Sequence, residues 1–184
     1  MVKGKLKGNN YERKISKILS LWISEGTYDD LFWRTQGSGG RHTRRYKNNL
    51  TLEGQAGDVA STRSGISEKF LKKICVEIKF YKDINIWALI TKSKDGILDF
   101  WNQTNRKAMD VNKIPVLIVK ENYKPALFVS NNNNLYNIFI NTFKINPDIE
   151  VLVCDEKLFI WKLDDILNIN PKQFMSKINR IRRG

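Results

Sequence analysis

Apolar residues near the start of the chain recur at helical spacing. Tyr11, Ile15, Ile18, Leu19, Trp22 and Ile23 keep to one face, while Glu12, Arg13, Lys14 and Lys17 take the other, so residues 9–24 are expected as an amphipathic helix. Residues 31–35, LFWRT, suit a short strand. Residues 36–55 are polar and Gly-containing and read as a loop. Strands are expected at 58–61 and 74–80, the second with the apolar density of a central strand, and the polar segment between them is expected to form a hairpin. Helical spacing resumes after Asp95 through Ile97, Leu98, Trp101, Thr104, Asn105 and Ala108, ahead of IPVLIV at 114–119, a buried strand in appearance. The order to this point is α-β-β-β-α-β, an α/β arrangement.

Further short strands are expected at 126–129, 150–153 and 158–161. The asparagine run at 131–134 suits a surface turn, and the basic FMSKINRIRRG after Pro171 suits a helix. No internal repeat or composition shift marks a second domain. The expected division is a core over residues 1–130 and a C-terminal extension, 131–184, packed on the same domain.

At 184 residues one domain can bury a sizeable core. Charge narrows the choice of partner: 32 Lys and Arg against 19 Asp and Glu give a formal +13, which favours a polyanion, nucleic acid first. No apolar run reaches the ~18 residues of a membrane span, and MVKGKLKGNN lacks the apolar stretch of a signal peptide. The expectation is therefore a cytoplasmic protein without a membrane partner. Cys75 and Cys154 lie in apolar strand-like runs outside any CxxC or Cys/His cluster and read as buried thiols. With His42 the single histidine, the chemistry falls to carboxylates and lysines.

Phosphodiester hydrolysis at neutral pH needs a cation to neutralise developing charge and a water made nucleophilic; hard oxygen ligands hold Mg²⁺. Two segments supply candidates. In GQAGDVAS, Asp58 follows Gly57 at the start of a strand, and in ICVEIKFYK, Glu77 and Lys79 interrupt an apolar strand on one face. Charges buried there are costly unless paired or bound to an ion. The alternative is an edge strand whose solvent face carries Glu77 and Lys79 as an ion pair.

These segments, with GNNYERKISKIL, FWRTQGSGGR and KIPVLIVK, occur in an order that resembles the PD-(D/E)XK nucleases, and within them the archaeal-type Holliday-junction resolvases and their phage-encoded relatives. The resemblance spans about residues 7–129. It implies a restriction-endonuclease-like core with a mixed central sheet flanked by helices. It implies Asp58 and Glu77 as metal ligands, joined by the carbonyl of Ile78, Mg²⁺ as cofactor with Mn²⁺ able to substitute, and Lys79 as the lysine that orients or helps deprotonate the attacking water. Glu12 corresponds to the family's helix-one glutamate, expected in the catalytic set and completing the metal shell through a water, and Ser38 to its loop serine. Expected DNA contacts are Ser38, Arg34, Lys82, Gln103 and, from a basic insertion that compact resolvases lack, Arg41, His42, Arg44 and Arg45. Trp87, Phe100 and Trp101 are expected in the core or a dimer interface. The functional expectation is a Mg²⁺-dependent, structure-selective DNA endonuclease similar to the Holliday-junction resolvases, cutting branched DNA as a homodimer, with branched or duplex DNA as its partner. Its alternatives are a restriction-type or phage DNA-degrading endonuclease with the same centre and a DNA-binding module without catalysis.

Overall fold

The structure, a computed structural model, describes residues 3–35, 56–85, 96–153 and 155–181. Helix α1 (Lys3–Ile23) begins earlier than its apolar spacing suggests and buries Tyr11, Ile15, Leu19 and Ile23. Its Ser20 hydroxyl donates to the Ser16 carbonyl and accepts the Phe32 N–H at 2.8 Å, tying the helix to strand β1 (Phe32–Arg34). β1 pairs antiparallel with β2 (Val59–Ser61) in a small separate sheet.

The expected hairpin between β2 and the ExK strand is not formed. Residues Ile66–Lys73 are helix α2, which leads directly into β3 (Ile74–Tyr81). Ile66, Phe70 and Leu71 lie on one side of this helix and pack into the main core; burying that face outweighs the polar character of the segment. β2 and β3 meet instead through one parallel bridge, Gly57 to Val76.

β3 is the first strand of a five-stranded sheet ordered β3-β4-β5-β7-β6, with β4 at Ile114–Glu121, β5 at Ala126–Ser130, β6 at Ile149–Val153 and β7 at Glu156–Lys162. β3 and β4 are parallel and the other pairs antiparallel, so the sheet is mixed as expected. Helix α3 (Ile97–Met109) makes the crossover that parallel neighbours require. After β5, Asn132 caps helix α4 (Asn133–Ile138) by accepting the Leu135 N–H, so half of the asparagine run is helical where a surface turn was expected. A short π-helical turn, Phe139–Phe143, follows. The chain ends with α5 (Leu163–Leu167) and α6 (Pro171–Ile178), the latter capped by Asn170 and started by Pro171.

Strand alternation sorts the core into two layers. Val76, Ile78, Val116, Ile118 and Phe128 face the main core with residues of α1, α2, α5 and α6. Leu117, Val119, Val129, Leu158 and Ile160 face Ile97, Leu98 and Trp101 of α3. Trp101 is thus a core residue, and Phe100 stacks on Tyr81 at 4.6 Å; Trp87 lies outside the described residues. No described helix is long and apolar enough to cross a membrane.

Candidate active site

On the α3 face of the sheet, Glu77 and Lys79 take places level with Leu117 and Val119 of β4. Apolar neighbours and an overlying helix leave Glu77 only 1 % exposed. The pair does form an ion pair on an edge strand, Lys79 Nζ to Glu77 Oε1 at 2.7 Å, but Glu77 is buried and Lys79 half-buried.

Asp58 reaches the same strand from the side, through Gly57. At Gly57 φ is +89°, and a Cβ there would lie 2.3 Å from the Val76 carbonyl oxygen, so only glycine permits the approach. Thr35, just past β1, holds the turn by donating its N–H to the Asp58 carbonyl and its hydroxyl to the Gly57 carbonyl, both at 2.9 Å. The Asp58 N–H then donates to the Val76 carbonyl, and the Ile78 N–H donates to Asp58 Oδ2, each at 2.8 Å. Because one residue's N–H and C=O point to the same side of a strand, the Ile78 carbonyl is also turned from β4 toward the Asp58 side.

Asp58 is 2 % exposed. Burial, aided by the negative charge of Glu77, pushes its pKa up to about 7, against the Ile78 hydrogen bond and the positive charges of Lys79 and Lys107. For Lys79, burial works against the ammonium form, but Glu77 and Asp58 outweigh it and raise the pKa. Lys79 therefore remains a cationic donor at neutral pH in this arrangement, suited to orienting a water or stabilising negative charge rather than to taking up a proton.

A fourth charged group completes the cluster. Lys107 of α3 places Nζ 2.8 Å from Glu77 Oε1 and 2.7 Å from Oε2. Ala108 packs over Cys75 and Phe100 over Tyr81, so α3 runs antiparallel to β3 and its last turn brings Lys107 to Glu77. Sequence reasoning missed Lys107. Its signal was present: Lys107 stands three residues beyond Thr104 and beside Ala108, in register with the buried stripe of the helix, where a lysine calls for a partner.

Glu12 is ion-paired with Arg34, both side chains largely buried. Gln103 and Lys82 are exposed. Ser38, Arg41, His42, Arg44 and Arg45 lie outside the described residues, as does Cys154. Cys75 is buried and its thiol is pushed up to about 12, chiefly by burial, which keeps it inert.

A divalent cation is consistent with this donor set. Two buried carboxylates and a backbone carbonyl converge, all hard oxygen donors, at a place where leaving both carboxylates ionised requires positive charge. Among the described residues no group of three or more His, Cys, Asp and Glu side chains could hold a metal.

A buried Asp beside an ExK strand, on a mixed sheet flanked by helices, is an arrangement compatible with the PD-(D/E)XK class of nuclease. The chain belongs to a phage family of this class, the one described as "phage putative PDDEXK endonuclease", which matches residues 3–176. That match takes in β6 and β7 as well as the segment carrying Asp58, Glu77 and Lys79. Neither a curated protein nor a solved structure matches the chain.

Proposed function

We propose that this protein is a Mg²⁺-dependent DNA endonuclease whose centre is Asp58, Glu77 and Lys79. The observation that carries the reading is the approach of Asp58 to the strand carrying Glu77 and Lys79, where the Ile78 N–H donates to Asp58 and lysines pair with Glu77. Asp58, Glu77 and the Ile78 carbonyl hold the ion in this reading. When bound, it neutralises charge on the scissile phosphate and acidifies water. Lys79 directs its ammonium group at the attacking water and the phosphoryl oxygens, and the Ile78 N–H fixes the Asp58 carboxylate in one orientation. Glu12, held by Arg34, supports β1 and through Thr35 the Gly57–Asp58 turn.

Two substrate readings follow from different observations. The order of motifs from α1 to β4 favours a structure-selective enzyme that nicks Holliday junctions symmetrically as a dimer, since a two-fold interface sets two centres in matching orientation. The family match across residues 3–176 favours a phage endonuclease acting more broadly on DNA. Four-way junctions, flaps, linear duplex and single strands compared at fixed salt separate them: paired symmetric nicks in the junction alone establish the first, and cutting of linear duplex at a comparable rate establishes the second. For either, Glu77→Gln should remove cleavage in Mg²⁺ while DNA binding in Ca²⁺ stays within a few fold. Full activity in that variant would refute the centre.

A further inference from the structure

We infer that Lys107 is a built-in counter-ion that occupies Glu77 in the metal-free protein and must release it when a divalent cation binds. The inference rests on the proposed metal role of Glu77 and concerns a residue outside the DxExK pattern.

The charge balance leads to it. Asp58 and Glu77 are opposed by Lys79 and Lys107, so the cluster is neutral without metal when both carboxylates are ionised. A divalent cation added to the intact cluster would leave two surplus positive charges beside the buried Asp58, Glu77 and Lys107, which is strongly penalised. One ammonium group has to withdraw. Lys107 is the one whose Nζ bonds both Glu77 oxygens, so any ion taking either oxygen displaces a Lys107 contact, whereas Lys79 touches Oε1 alone. Lys107 also stands near the C-terminal end of α3, two residues before Met109, which is 71 % exposed. Water is close, and a flexible four-carbon stem can carry the ammonium group to it.

Lys107 thus acts on the reaction through Glu77, as a positioning residue. It keeps the carboxylate oriented before metal arrives and makes metal uptake a competition. Removing it should leave the metal-free protein less stable yet improve its hold on the ion, an opposition that a purely structural lysine would not produce.

The test is calorimetric titration of the full chain with Ca²⁺ alone, without DNA, for the wild type, Lys107→Met, Lys107→Arg and Asp58→Ala. Lys107→Met should lower metal-free Tm and bind Ca²⁺ roughly fivefold or more tightly than wild type, because no competing cation has to be displaced. Lys107→Arg, which keeps the charge, should restore the wild-type affinity. Unchanged or weaker Ca²⁺ binding in Lys107→Met, with wild-type binding intact and lost in Asp58→Ala, overturns the counter-ion role and leaves the metal centre standing. No Ca²⁺ uptake by the wild type overturns both. Should Lys107→Met fail to fold, NMR of the wild-type lysine ammonium groups decides: the Lys107 signal should change to a freely exchanging one as Ca²⁺ saturates, and a signal that survives unchanged refutes displacement.

Discussion

A carboxylic acid placed almost wholly out of water beside a second carboxylate holds its proton more tightly than in the unfolded chain. Asp58 is in that position, and its pKa of about 7 has a consequence for stability. Between its ordinary range and about 7, the folded state binds a proton that the unfolded state has released. The Asp58 contribution to stability is therefore fully present below the ordinary carboxylate range and lost as pH rises through about 7. In EDTA, denaturant titrations from pH 4 to 8 should show Asp58→Asn losing stability less steeply with pH than wild type. Parallel pH profiles for the two proteins would contradict the assignment. Because ligands bind metal in their deprotonated form, wild-type metal affinity should rise over the same interval.

At the scale of elements, the centre is assembled by a turn and a crossover. The Gly57 turn lets β2 leave the edge of β3 while its preceding aspartate stays against it, and α3 lays Lys107 over the same strand. Gly57→Ala would combine a positive φ with a Cβ 2.3 Å from the Val76 oxygen. We expect a loss on the order of 2–3 kcal/mol in stability, and cleavage reduced further than that loss explains, since the turn aims Asp58. Equilibrium unfolding and activity at saturating metal would show it; a neutral effect on both would mean that the turn has another conformation available. These elements also show what pattern reading could and could not reach. Helix α1, β3, α3 and β4 follow from periodic burial, which local spacing records. Helix α2 did not, because ISEKFLKK is short and polar and becomes helical only when Ile66, Phe70 and Leu71 have a core to enter. For the same reason the route from Asp58 to Glu77 was expected as a hairpin and is a helix followed by a single parallel bridge.

For the molecule as a whole, an excess of positive charge governs the encounter with a polyanion. A formal +13 over 184 residues should make DNA binding strongly salt-dependent through counterion release. With Ca²⁺ in place of Mg²⁺ to prevent cutting, raising salt from about 50 to 200 mM should weaken binding by about 10³-fold if roughly six phosphates are contacted. Fluorescence anisotropy would measure the slope, and affinity independent of salt would exclude a phosphate-dominated interface. This charge is a property of composition and carries no address: it favours a nucleic-acid partner without selecting a junction over a duplex.

The sequence by itself determined the α/β class, the strand phase that puts Glu77 and Lys79 on one face, and the GD and ExK segments as candidate chemistry. Those features are local, because side-chain alternation and glycine permissiveness act over a few residues. Tertiary structure decided how the carboxylates meet, that Glu12 belongs with Arg34, and that Lys107 joins the cluster. Each of these depends on which helix lies over which strand, since a buried charge can be satisfied by any cation the fold brings near, whatever its distance along the chain.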